Sequence, residues 1–132
     1  MSASQPPKEN GKPWVPRRRG WVRKLGDAFF GIAQGARGQS SFAVHVIATI
    51  AVLVLAAYLP LSVERWCLLI LCIGIVLTAE LFNTSLEQLA CGITRDDDPH
   101  IGRALNIASG AVLIAALAAA IVGTMIFVSE LI

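Results

Sequence analysis

The sequence predicts an all-α membrane protein, in which an N-terminal amphipathic surface helix precedes three transmembrane helices. Three observations predict it. The 132 residues are 55% hydrophobic and only 15% charged, with a mean hydropathy of +0.66, a balance that suits a small helical membrane protein and not a soluble domain of this length. Three apolar stretches, Phe42 to Pro60, Trp66 to about Cys91 and Ala104 to Ser129, each reach the roughly 17 to 25 residues that cross a bilayer. Eight of the eleven Lys and Arg lie in the first 38 residues, which keeps that end in the cytoplasm and sends the first span outward.

Met1 to Pro16 is rich in Pro, Ser, Lys and Gly and reads as a flexible tail without a site. From Arg17 to about Arg37 the apolar residues Trp21, Leu25, Phe29 and Ile32 recur every three or four positions among basic and small ones. That is the pattern of a helix lying on an anionic membrane surface, although Gly20, Gly26, Gly31 and Gly35 weaken its helix propensity. The plainer reading of the same segment is a basic topogenic anchor. The run from Gly35 to Ser41 breaks or bends this helix before the first span, Phe42 to Pro60. His45, a few residues inside that span, reads as an interhelical hydrogen-bonding group in preference to a ligand.

The second span, Trp66 to about Cys91, carries all three cysteines without a CxxC pair, so Cys67, Cys72 and Cys91 read as small apolar fillers. In the third, Ala104 to Ser129, small residues such as Ser109, Gly110, Ala116, Ala120 and Gly123 favour close helix packing. The charge pattern puts the Leu59 to Arg65 connection outside, the Gly92 to Gly102 connection inside and the C-terminus outside. No short apolar run near the N-terminus precedes a small-residue cleavage site, so no cleavable signal peptide is expected.

The informative segment is Glu80-Leu-Phe-Asn83-Thr-Ser-Leu-Glu87 in the second span. A carboxylate well inside a bilayer costs roughly 2.5–3.5 kcal/mol on insertion scales, and two on one helix point to chemistry or transport. At 100° per residue Glu80 and Glu87 differ by about 20° around the helix and about 10 Å along it, with Asn83 about 60° to one side. Three polar groups thus face one partner or one ligand, with Glu80 deeper and Glu87 nearer water. Three helices alone do not easily hide such a face from lipid, which points to a homo-oligomer. A carboxylate pair at the membrane surface suits metal-assisted phosphoryl transfer, because Mg²⁺ takes oxygen ligands and bridges nucleotide phosphates. No GxxxxGKS loop, GxGxxG or soluble kinase signature accompanies it. Arg103, between Gly102 and Ala104, reads equally as a topogenic charge or as a phosphate ligand.

These residues resemble the signature E-x-x-N-[ST]-[AS]-[IL]-E of the small prokaryotic integral-membrane diacylglycerol kinases, the family that also contains undecaprenol kinases. The resemblance covers about Arg17 to Ile126 and includes Gly31-Ile32, Phe42 to His45, Gly102-Arg103-Ala104 and Ser109 to Leu113. It implies one membrane domain from 17 to 132 after the tail. It also implies a homotrimer with active sites shared between subunits at the cytoplasmic face, and ATP-dependent phosphorylation of a lipid hydroxyl with Mg²⁺. Carried over by position, Glu80 resembles the catalytic base, Asn83 the active-site amide and Glu87 the metal-binding glutamate.

Other positions depart from the family pattern. Its second metal-binding Glu falls at Gln39, whose carbonyl oxygen can still ligate a cation without the charge. Its Ala-Lys-Asp reads Ala104-Leu105-Asn106, so a phosphate-binding Lys is lost and Asn106 stands at a nucleotide-site Asp. An Asp four residues after Glu87 falls at Cys91. Arg103 or Arg37 is placed to supply the missing positive charge. Losing a charge-assisted contact costs around 1.5–3 kcal/mol. Each such loss predicts about a tenfold drop in rate, so the departures weaken the expected activity. The activity that the resemblance implies is transfer of the ATP γ-phosphate to diacylglycerol, giving phosphatidic acid. Undecaprenol is the alternative acceptor, and a non-catalytic homologue or a carboxylate-based ion transporter are the competing classes; no nucleic-acid partner is expected.

Overall fold

Apolar segments of this length close their backbone hydrogen bonds within themselves, and helices are what the structure contains. The computed structural model describes residues 20–37, 40–93 and 97–132. The expected tail, Met1 to Pro16, and the basic run at 17–19 lie outside the described residues. The helices are α1 (Trp21–Ala36), α2 (Ser40–Ala57), α3 (Val63–Ile93) and α4 (Pro99–Leu131). The last three are long and apolar enough to cross a membrane.

Local chemistry sets the helix ends. α2 gives way at Tyr58 to a turn, where the Tyr58 and Leu59 amides donate to the carbonyls of Leu55 and Ala56 at 3.2 Å, and Pro60 cannot continue the helix. α4 begins about a turn earlier than its apolar pattern, at Pro99 and not near Ala104. The Asp98 side chain accepts from the amides of His100 and Ile101 at 2.7 and 3.3 Å, and Pro99 takes a first-turn position that needs no amide hydrogen. With 31 and 33 residues, α3 and α4 run for about 46 and 50 Å, well beyond a hydrocarbon core of about 30 Å, whereas α2 matches it.

α3 and α4 form the main packed pair, α2 lies along α3, and α1 touches α3 and α2. One core cluster, Ala56, Leu69 and Ile126, sits at the end of the bundle remote from Glu80 and is flanked by Val52, Leu61, Trp66, Val122 and Phe127. At that same end Arg65 forms an ion pair with Glu130, tying the start of α3 to the end of α4. Most other apolar side chains face outward, as lipid-facing helices require.

α1 is a separate case. Its stripe does not pack into the bundle: Trp21 is 79% and Phe29 72% exposed, and Lys24 lies with its ammonium 4.9 Å from the Trp21 ring centroid. Only its C-terminal end closes on α3, at Gly35, where a Cβ would lie 2.7 Å from Leu81 Cδ2. The absence of a side chain at Gly35 therefore sets how closely α1 approaches α3.

Two outcomes follow from this packing. Ala56 is fully buried while Ala57 faces outward, so Ala56→Leu should lower stability by about 1–3 kcal/mol and Ala57→Leu by less than about 0.5 kcal/mol, as read by thermal unfolding in detergent micelles. Gly35→Ala should be accommodated by rotation of the Leu81 side chain. Gly35→Leu should lengthen the distance between spin labels on α1 and α3.

Candidate functional site

A carboxylate, an amide and a hydroxyl on an apolar helix must find partners or lose free energy, because each buried polar group without one costs about 1–3 kcal/mol. α3 carries Glu80, Asn83 and Thr84 as buried residues, with Glu87 partly exposed one turn further on. Counted from Val63 at 1.5 Å per residue, Glu80 lies about 26 Å and Glu87 about 36 Å along α3, so one falls just within a 30 Å apolar layer and the other beyond it.

Glu80 is 1% exposed. Its carboxylate is held from α2: Ser41 Oγ donates to Oε1, and His45 Nε2 lies 4.0 Å from Oε2. Asn83 links the deeper and shallower ends of the site. Its Nδ2 donates to Glu87 Oε1 at 2.8 Å, and its Oδ1 lies 3.4 Å from Ser109 Oγ on α4. That serine hydroxyl has a closer acceptor in the Leu105 carbonyl, at 3.0 Å, so the contact to Asn83 is the weaker one.

The close approach of α1 leaves a cleft of about 710 Å³ beside this face, lined by Gly31, Gly35 and Arg37 on one side and Thr84, Ser85 and Gln88 among others on the opposite side. Thr84 Oγ1 is buried at its edge with no hydrogen-bond partner among the described residues. The positive charge in the cleft is that of Arg37. Arg103 instead donates from Nη2 to His100 Nδ1 at 2.9 Å on the exposed surface of α4, and Asn106 is also exposed there. Both occupy the end of α4 that adjoins Glu87, at three-residue steps before Ser109. Gln39 lies outside the described residues.

One expectation needs correction. A single chain hides Glu80 and Asn83, at 1% and 6% exposure, because α2 and α4 close over α3 on that side. For these two residues the burial argument for an oligomer falls away, while Glu87 stays partly exposed. Apolar patterning does not mark Thr84, Ser85 and Gln88 as lining a cleft, nor Ser109 as the neighbour of Asn83. Ser109 could be suspected from its place near the start of the third span; the other three are set by where α1 crosses α3. Position in the sequence marks Ser41 as the end of the break before α2 and His45 as a hydrogen-bonding group; that both meet Glu80 is set by the packing of α2 on α3.

The donor set bears on a divalent ion as follows. Among the described residues no group of three or more His, Cys, Asp or Glu side chains converges, so these residues do not form an all-protein cage. Mg²⁺ ordinarily takes one or two carboxylates together with phosphate oxygens and water. Glu87 suits that mode, being partly exposed and oriented by the Asn83 amide. Glu80 does not, since Ser41 already occupies one oxygen and His45 faces the other.

Comparison with known proteins places these residues in context. Residues 26–127 match the family described as prokaryotic diacylglycerol kinase. A protein named undecaprenol kinase from Bacillus subtilis is 35% identical over 101 residues, which is 76% of this chain and 82% of that protein. One named diacylglycerol kinase from Synechocystis is 34% identical over 99 residues, 73% of this chain and 55% of that protein.

The unpartnered Thr84 hydroxyl yields a stability test. Thr84→Val removes a buried polar group while keeping the shape, so it should leave the protein as stable or up to about 1 kcal/mol more stable. Thermal unfolding of the two proteins side by side checks the sign.

Proposed function

The chain belongs to the prokaryotic diacylglycerol kinase family, and from that premise we propose that it transfers the γ-phosphate of ATP to the hydroxyl of a membrane lipid at the cytoplasmic face of the inner membrane. The observation that carries this reading is the graded polar face of α3. Glu80 sits buried at the apolar end, clamped by Ser41, and Glu87 sits partly exposed at the polar end, bonded to Asn83. A lipid hydroxyl arrives from the first side and a nucleotide from the second.

In this reading Glu80 accepts the proton of the lipid hydroxyl as its oxygen attacks the γ-phosphorus, and the nucleoside diphosphate leaves. Asn83 fixes the orientation of Glu87. Glu87, with the carbonyl oxygen of Gln39, would hold Mg²⁺, which when bound neutralises charge on the phosphate oxygens. Arg37 in the cleft, with Arg103 and Asn106 at the head of α4, supplies phosphate and nucleotide contacts in place of the family's Lys and Asp. α1 lies in the membrane surface with its exposed Trp21, Leu25 and Phe29 toward lipid. The N-terminus is cytoplasmic, as the basic residues there require. A homotrimer rests on the family resemblance alone.

Two acceptors compete. Undecaprenol is favoured by the likeness that extends over 82% of the protein named for it. Diacylglycerol is the second reading, supported by the likeness to the protein named diacylglycerol kinase. Purified protein supplied with ATP, Mg²⁺ and each lipid separates them by which one becomes phosphorylated. Glu80→Gln and Glu87→Gln should each lower kcat by about 100-fold or more. Full activity in either would sink its assignment. Lipid-independent inactivity across both acceptors and several divalent ions would instead identify a non-catalytic homologue.

A further inference from the structure

A base that takes a proton on every turnover must also release it, and Glu80 is badly placed to do so alone. Its side chain is 2% exposed, so water does not reach it freely. Within 4 Å its carboxylate meets Ser41, whose hydroxyl donates to Oε1, and His45, whose Nε2 lies 4.0 Å from Oε2. Serine does not titrate in the working range, whereas histidine is the side chain whose ordinary titration falls between pH 5 and 8. The His45 side chain is 21% exposed and lies five residues from the start of α2 at Ser40, about 8 Å from that helix end.

We propose that His45 is the proton exit of the site, receiving from Glu80 the proton taken from the lipid hydroxyl and passing it to water at the membrane surface. The proposal rests on the reading of Glu80 as the base. Because Ser41 occupies Oε1, Oε2 is the oxygen that receives the substrate proton. In the first step the lipid O–H bond breaks, its oxygen bonds the γ-phosphorus, the proton bonds Oε2 and the nucleoside diphosphate departs. In the second, the proton passes from Oε2 to Nε2 of neutral His45. The 4.0 Å separation is a small side-chain rotation from a hydrogen bond. Loss of the proton from the imidazolium to water restores both groups.

The surroundings leave His45 free for this role. From α3 the charged group facing it is Glu80, and the thiol of Cys72 lines the same groove. From α4 the groove it lines presents Ala116, Ala119, Ala120, Gly123 and Thr124, none of them charged. The charged groups of α1, which packs against α2, are Arg23, Lys24 and Asp27, with Arg37 at its C-cap.

The test measures kcat and KM between pH 5.5 and 9 for the full-length protein in lipid bicelles with ATP, Mg²⁺ and whichever lipid alcohol it phosphorylates. His45→Gln keeps a hydrogen-bonding side chain without a titratable nitrogen. It should lower kcat about tenfold or more, leave the KM values for ATP and lipid within about twofold, and change the shape of the pH profile. His45→Ala should regain activity when free imidazole is added. An unchanged kcat and pH profile in His45→Gln overturns the proposal. So does a loss of activity that leaves the profile's shape intact and resists imidazole, because that marks a structural role. Glu80→Gln run in parallel separates the two failures: if it is fully active, the base assignment fails first and the relay with it.

Discussion

The structure turns on the need to hold a carboxylate within an apolar helix. Glu80 is 1% exposed in a helix that is otherwise built for lipid, and an isolated ion there is expensive enough that its neighbours are constrained in turn. α2 must bring Ser41 to it, which sets the register of α2 against α3 at that end. α3 and α4 must lie close enough for Asn83 to approach Ser109. The far end of the bundle has no such demand and is packed by Ala56, Leu69 and Ile126 in a conventional apolar cluster. The two ends thus divide the work, one giving stability by contact and the other holding polar groups in place.

That division leaves one end of a small bundle to hold the candidate site. Thr84 keeps an unpartnered hydroxyl among the described residues, beside a cleft with one guanidinium and several amide and hydroxyl groups. A core tuned only for stability would have an apolar residue there. The gradient along α3, from a clamped, buried carboxylate to a partly exposed one, places both carboxylates on one rigid element. Their separation then depends on helix rise and not on loop conformation.

The trio Glu80, Asn83 and Glu87 was legible before any coordinates, because helix periodicity alone puts residues at i, i+3 and i+7 on one side. The spans were legible from apolar length, and the break after Gly35 from small and polar residues. The start of α4 was less legible: an Asp98 cap and Pro99 carry the helix back beyond its apolar run, and apolar periodicity does not register a cap. The departure at Leu105 and Asn106 was visible as a missing Lys, but its replacement was not. Arg37 and Arg103 were equal candidates by position along the chain, and only the crossing of α1 over α3 at Gly35 puts Arg37 in the cleft.

By itself the sequence determined the helical class, the three membrane-length segments, the basic end and the polar face of α3, since each depends on composition or on spacing within one helix. Tertiary structure decided which groups meet that face. Ser41 lies 39 residues from Glu80 and Ser109 lies 26 from Asn83, and such pairings depend on helix rotation and crossing, which short-range pattern does not encode. It also decided that one chain suffices to bury Glu80. Burial depends on how closely neighbouring helices approach, and here α2 and α4 pack against α3 at that level, bringing Ser41 and His45 to Glu80 and Ser109 to Asn83.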